Sequence, residues 1–212
     1  MLDASIRARL APVWEALARR LHRWGVAPIA LTLLGLVLAL TAAVAAALAW
    51  WPAALVLWLV SRVPDGLDGP VARVAGRTSA FGGWADITAD MAAYSAFIVG
   101  CAIGQPDAML ACLVLLFAYH VNASSLLAYA AARATTRPDR ALGGHPVSGD
   151  VGNRTLHLSR GLAEGTETIV VHALMVAFPT VMAPLAAVFA AVVLLTVLQR
   201  VLVARRTLDA DA

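Results

Sequence analysis

The sequence predicts an all-α fold: an integral membrane bundle of six transmembrane helices, preceded by an N-terminal amphipathic interfacial helix. Three observations predict it. The chain of 212 residues is 61% hydrophobic with a mean hydropathy of +0.79. Only 14% of it is charged, against roughly 25% for a soluble domain. Its apolar segments are also long enough to span, since residues 28–49 would rise about 33 Å as a helix, against a hydrocarbon core of about 30 Å. Finally, all 16 basic residues are arginine, and with six spans every one falls on or near a single side.

Residues 1–27 carry Leu10, Val13, Trp14, Leu17, Leu21 and Trp24 at helical spacing, interspersed with Arg7, Arg9, Arg19, Arg20 and Arg23. This pattern suits a helix lying in the cytoplasmic headgroup layer. Pro12 weakens the first turns, so the helix is expected to begin near it. The segment lacks a continuous apolar run and does not read as a cleaved signal peptide.

The membrane domain is expected over residues 28–206, with spans near 28–49, 52–74, 82–104, 107–131, 157–179 and 183–204, followed by a tail at 207–212. Pro28, Thr32 and Gly35 open the first span and read as small residues for close helix packing, or alternatively as lining at the entrance of a site. Arg62 in the second span reads as a snorkelling interface residue, and Pro70 as a kink or break. The connection from Val74 to Phe81 is short, which makes the second and third spans adjacent antiparallel neighbours. Tyr119, His120, Asn122, Ser124 and Ser125 in the fourth span read as interhelical glue or as pocket lining, the structural reading being favoured for any one of them. Cys101 and Cys112 read as small packing residues, and the sixth span as scaffold. Residues 132–156 form the longest polar stretch and read as a cytoplasmic loop.

The turns around Trp50-Trp51-Pro52, Gly104-Gln105-Pro106-Asp107 and Pro179 to Pro184 contain no base. By the positive-inside rule, both termini and the polar ends of the second and third spans face the cytoplasm. The net charge of +3 is therefore a topology signal, and nucleic acid is not an expected partner.

Those polar ends carry the chemistry. Asp65 and Asp68 lie three residues apart, about 60° around a helix axis, while Asp86 and Asp90 lie four apart, about 40° around theirs. A short turn between the helices makes the two pairs face each other. Converging carboxylates repel unless cations sit among them, which points to a hard divalent metal, Mg²⁺ or Mn²⁺, held by oxygen ligands. Gly66, Gly69 and Ala72 lack bulk, so a ligand can approach the helix backbone. Arg73 offers a phosphate its fork of donors. A metal-dependent phosphoryl site at a membrane surface follows, without a named substrate.

The pattern Asp65-x-x-Asp68-Gly69-x-x-Ala72-Arg73-x8-Gly82-x3-Asp86-x3-Asp90 resembles the signature of the CDP-alcohol phosphotransferase family at every defined position. The six-span arrangement and the cytoplasmic site agree with that resemblance. It implies a transferase of phospholipid biosynthesis that moves a phosphatidyl-type group from a CDP-linked lipid, usually CDP-diacylglycerol, to a small polar alcohol, with release of CMP. Some members instead transfer a polar phospho-alcohol to a lipid hydroxyl. The resemblance implies a two-metal site with Asp65, Asp68 and Asp86 as ligands, and Asp90 as both ligand to the second metal and catalytic base. Gly69, Ala72, Arg73 and Gly82 would then shape the pocket for the cytidine diphosphate, and the protein would be a homodimer. Two positions depart from patterns common in the family. Ile29 stands where many members have Asn, and Met91 stands where phosphatidylglycerophosphate synthase relatives place a basic residue.

The acceptor is less legible. Arg133, Arg137, Arg154 and Arg160 would suit a phosphorylated alcohol, the reading favoured here. Glu164 and Glu167 would suit an amine-bearing one, or would pair with arginines to stabilise the bundle. Two other functions fit the acids: a hydrolase passing the group to water with the same metals, and a small cation transporter. The transporter needs ionisable residues continuing through the bilayer, and the outer halves of the spans have none.

Overall fold

The computed structural model describes residues 2–136 and 165–208, with side chains described for 11–132 and 165–206. Among the described residues seven α-helices follow one another: α1 (Leu2–Arg23), α2 (Pro28–Ala47), α3 (Trp51–Val74), α4 (Ala80–Gly104), α5 (Met109–Thr136), α6 (Gly165–Ala177) and α7 (Met182–Leu208). Single 3₁₀ turns at Pro106–Ala108 and Pro179–Val181 lead into α5 and α7. No strand occurs among the described residues.

Among the described residues four stretches are long and apolar enough to cross a membrane: Pro28–Ala47, Ala80–Gly104, Pro106–Ala132 and Pro179–Arg206. The helix α3 has 24 residues, but Arg62, Asp65, Asp68 and Arg73 make its second half polar. The helix α6 is described only for Gly165–Ala177.

Each helix end near the aspartates has a local cause. At the end of α3 the Gly76 N–H donates to the Arg73 carbonyl (3.2 Å) and the Arg77 N–H to the Ala72 carbonyl (2.9 Å), the paired bonds of a Schellman motif. That motif needs a left-handed residue, and Gly76 supplies it with φ 62°. Ser79 then caps α4, its Oγ accepting from the Gly82 N–H at 3.0 Å. The chain thus reverses between Ala75 and Ser79, but α3 and α4 are not the close neighbours expected of a short connection: α2 packs against both, and they meet through long side chains, Trp58 with Phe97 and Arg62 with Asp90. The end of α2 repeats the Schellman pattern, with the Ala49 N–H donating to Ala46 and the Trp50 N–H to Ala45. Here the left-handed residue is Ala49, at φ 56°.

Packing rests on small residues and one aromatic cluster. The helix α2 lies against α3 and α4, α5 against α7, and α1 and α6 flank α3. A Cβ placed on Gly100 or Gly104 would run into the backbone carbonyl of Ala43 or Ala46, so α4 and α2 meet backbone to backbone. Gly35 performs the same office between α2 and α3, where an added Cβ would stand 3.2 Å from the Ser61 carbonyl. At the centre Trp58, Phe97 and His172 are fully buried. Trp58 stacks on Phe97 with ring centroids 4.3 Å apart and lies 4.9 Å from His172. Its Nε1–H donates to the Ile169 carbonyl at 3.2 Å, tying α3 to α6. Cys101 and Cys112 are free thiols buried in the same core, in keeping with a packing role.

Two local expectations are corrected. The helix α1 runs through Pro12 from Leu2 rather than starting near it, and Trp14, Ala18 and Leu21 pack with Leu31, Leu67 and Val71. Likewise α3 stays helical through both Pro64 and Pro70, so of the kink or break expected at Pro70 the break does not occur. Pro removes one donor and crowds one carbonyl, and flanking packing outweighs a loss of that size.

Candidate active site

Asp65 and Asp68 sit on α3, and Asp86 and Asp90 on α4. The structure brings them into one electrostatically connected group: Asp90 is within range of Asp65 and Asp86, and Asp68 is within range of Asp65 and Arg73. Asp68 is the most enclosed, at 8% exposure. Its Oδ2 accepts from Thr32 Oγ1 at 2.5 Å and its Oδ1 from the Gly69 N–H at 2.6 Å. Thr32 therefore fastens α2 to the site, and Gly35, one turn on, lets α2 come close to the Asp65 Cβ.

The residue joining the two halves is Arg62. Its Nη1 lies 3.1 Å from Asp90 Oδ1 and 3.5 Å from Asp65 Oδ2, so acids of two helices share one nitrogen. Nε–H donates to Ser61 Oγ at 3.1 Å. The guanidinium stacks over Trp58 at 4.7 Å and over Tyr94 at 5.5 Å. The side chain is 8% exposed. This corrects the reading of Arg62 as a snorkelling residue: the stem does not lead the charge to the interface but holds it against buried aromatics, inside the acid group. The spacing of three residues puts Arg62 on the same helix face as Asp65, but its contact with Asp90 depends on where α4 sits, which spacing within α3 does not encode.

The small residues of the motif divide into two kinds. Gly69 lies under Arg73, whose Nη1 stands 3.4 Å from where a Cβ would be. Ala72 is half-buried, and Arg73 is exposed. Gly82 serves the cap of α4, where a Cβ would crowd Ser79 Oγ at 3.2 Å. Gly66 departs from its expected role as open backbone for a ligand, because a Cβ there would stand 3.6 Å from the Trp14 ring of α1.

The expected acceptor residues are only partly in view. Glu167 is on the first turn of α6, half-buried, and its Oε2 is enclosed without a hydrogen-bond partner among the described residues. Arg133 lies in the last turns of α5, with its side chain outside the described set, and Arg137, Arg154, Arg160 and Glu164 fall outside the described residues. Tyr119, Asn122 and Ser125 of the fourth span's polar cluster act as glue, while His120 and Ser124 are exposed. Tyr119 OH pairs with His172 Nε2 at 2.8 Å. Arg200 Nη1 donates to the Asn122 carbonyl, to Asn122 Oδ1 and to Ser125 Oγ, all within 3.0 Å. Arg200 makes α7 more than scaffold, since it ties α7 to α5.

The residues can be tested for fit to a divalent metal. Among the described residues no three His, Cys, Asp or Glu side chains close around a single point. The donor chemistry nonetheless fits: the acids are all hard oxygen donors on facing helices, and two of them already share a cationic nitrogen.

Residues 25–202 match the family model described as CDP-alcohol phosphatidyltransferase. The chain is 36% identical over 202 residues to the inner membrane protein YnjF of Escherichia coli K12, covering 95% of this chain and 94% of that one. The fold is shared with the crystal structure of Mycobacterium tuberculosis phosphatidylinositol phosphate synthase (PgsA1) with CDP-DAG bound. That match has a TM-score of 0.70 at 20% identity and covers 91% of this chain and 94% of the other. With its long apolar helices and a relative in the inner membrane, the chain is a multi-pass integral membrane protein. It belongs to the CDP-alcohol phosphatidyltransferase family.

Proposed function

We propose that the protein transfers a phosphatidyl-type group from a CDP-linked lipid, CDP-diacylglycerol by preference, to a small polar alcohol. The observation that carries this reading is the meeting of Asp65 and Asp90, from two antiparallel helices, on one Arg62 nitrogen. It supports a motif whose acids act together. In the reaction a bond forms between the acceptor oxygen and the lipid-side phosphorus. The bond from that phosphorus to the bridging oxygen breaks, and the bridging oxygen leaves on CMP.

Asp65, Asp68, Asp86 and Asp90 would hold two Mg²⁺ or Mn²⁺ ions. When bound, such ions neutralise a diphosphate and stabilise the charge of the departing nucleotide. The chain's own groups supply the rest. Asp90 accepts the proton of the attacking hydroxyl at its carboxylate. Thr32 and the Gly69 N–H fix the rotamer of Asp68, so that its geometry is set before substrate arrives. Arg73, exposed above Gly69, pairs with a phosphate oxygen, while Gly69, Ala72 and Gly82 keep the cytidine pocket free of bulk.

We place six spans in the membrane, counting α3 and the segment that contains α6, with α1 in the headgroup layer. Both termini and the acid group lie on the cytoplasmic side, and the protein works as a homodimer. A phosphorylated acceptor is favoured by Arg133, Arg137, Arg154 and Arg160, while Glu164 and Glu167 would serve an amine-bearing one.

The test is to incubate purified protein with CDP-diacylglycerol, Mg²⁺ and a panel of phosphorylated and free alcohols, following CMP and lipid mass. One acceptor should give CMP and a new phospholipid together. CMP with phosphatidate in water alone would make the protein a hydrolase. Silence across the panel, with CDP-linked polar donors also tried, would sink the transferase reading.

A further inference from the structure

The acid group contains a cation of its own. The Arg62 side chain is only 8% exposed, braced by Ser61 Oγ and stacked on Trp58 and Tyr94. Trp58 is itself fully buried, stacked on Phe97 and bonded to α6. A guanidinium supported on so many sides cannot swing away without leaving a charge unpaired in a poorly solvated place. It therefore contributes a fixed positive charge between Asp65 and Asp90. That charge has two effects. It holds the Asp65 carboxylate of α3 and the Asp90 carboxylate of α4 on one nitrogen, and it repels any further cation approaching the same oxygens. A diphosphate reverses the balance, because its negative charge offsets the guanidinium.

We propose that Arg62 is a positioning residue that makes divalent-cation binding at Asp65 and Asp90 depend on the donor's diphosphate. This rests on the metal-dependent reading above, and adds that ion and nucleotide bind with positive coupling. Coupling of this kind is reciprocal: each ligand tightens the other by the same factor.

The experiment is a Mn²⁺ titration of the purified full-length protein, followed by electron paramagnetic resonance, without nucleotide and with CDP, corrected for Mn²⁺ bound by free CDP. Wild type should bind Mn²⁺ at least about tenfold more tightly with CDP than without, a factor of ten being about 1.4 kcal/mol. Arg62→Gln should bind Mn²⁺ about tenfold more tightly than wild type in the absence of CDP, with the coupling reduced. Arg62→Lys, which keeps the charge, should stay near wild type. A purely structural role predicts the opposite sign, since a disordered acid group binds ions more weakly. Equal or weaker nucleotide-free binding by a monodisperse Arg62→Gln protein would overturn the proposal. If that variant does not fold, equal Mn²⁺ affinity of wild type with and without CDP overturns it instead. Wild type that binds no Mn²⁺ under either condition would remove the metal site along with it.

Discussion

Asp68 and Thr32 show how a single hydrogen bond from an apolar helix can set a reactive group. A hydroxyl bonded to a carboxylate contributes about 1.5–3 kcal/mol, and this one also fixes an acid that stands at 8% exposure. Thr32→Val keeps the shape and removes the donor, so kcat/KM for the CDP-linked lipid should fall about tenfold or more. Thr32→Ser should restore most of it. Asp90→Asn should abolish transfer while CDP binding, measured by calorimetry, largely survives; full turnover would remove Asp90 as base. All four acids were legible from their spacing, because a period of 3.6 residues forces each pair onto one face. The partners Arg62 and Thr32 were not. Their roles depend on where α2 and the Trp58 rings sit, and no pattern within α3 alone encodes that.

At the scale of elements, hydropathy and length identified α2, α4, α5 and α7, and the connection between α3 and α4 is short as expected, but the close pairing of those two helices inferred from it does not occur, because α2 packs against both. The continuity of α3 through Pro64 and Pro70 was not legible. A proline weakens a helix locally, whereas its survival depends on packing by α1 and α2 on either side. The α2–α4 contact makes its own prediction. Gly100→Ala sets a methyl group against the Ala43 carbonyl, and overpacking of this kind costs about 1–3 kcal/mol. The melting temperature in detergent should drop, and activity should drop with it, because the same shift moves Asp90 away from α3. Substitution of the open Gly83, where an added Cβ meets nothing within 4 Å, should leave the melting temperature unchanged.

For the whole molecule, the placement of arginines is the evidence for orientation, and cysteine labelling tests it. Thr78 and Gln105 lie at opposite ends of α4, while both native thiols are buried. An impermeant maleimide should label Gln105→Cys in intact cells and Thr78→Cys only after the membrane is opened. Labelling with the reverse sidedness would place the acids outside. The backbone-to-backbone crossing of α2 and α4 has a bearing on traffic through the protein. Two main chains that touch with no side chain between them form a closed seam, into which a fatty tail cannot wedge without prising the helices apart. On the proposed function, a lipid whose head is held at the aspartates would drape its tails along another flank, steered there by the smallest residues in this crossing.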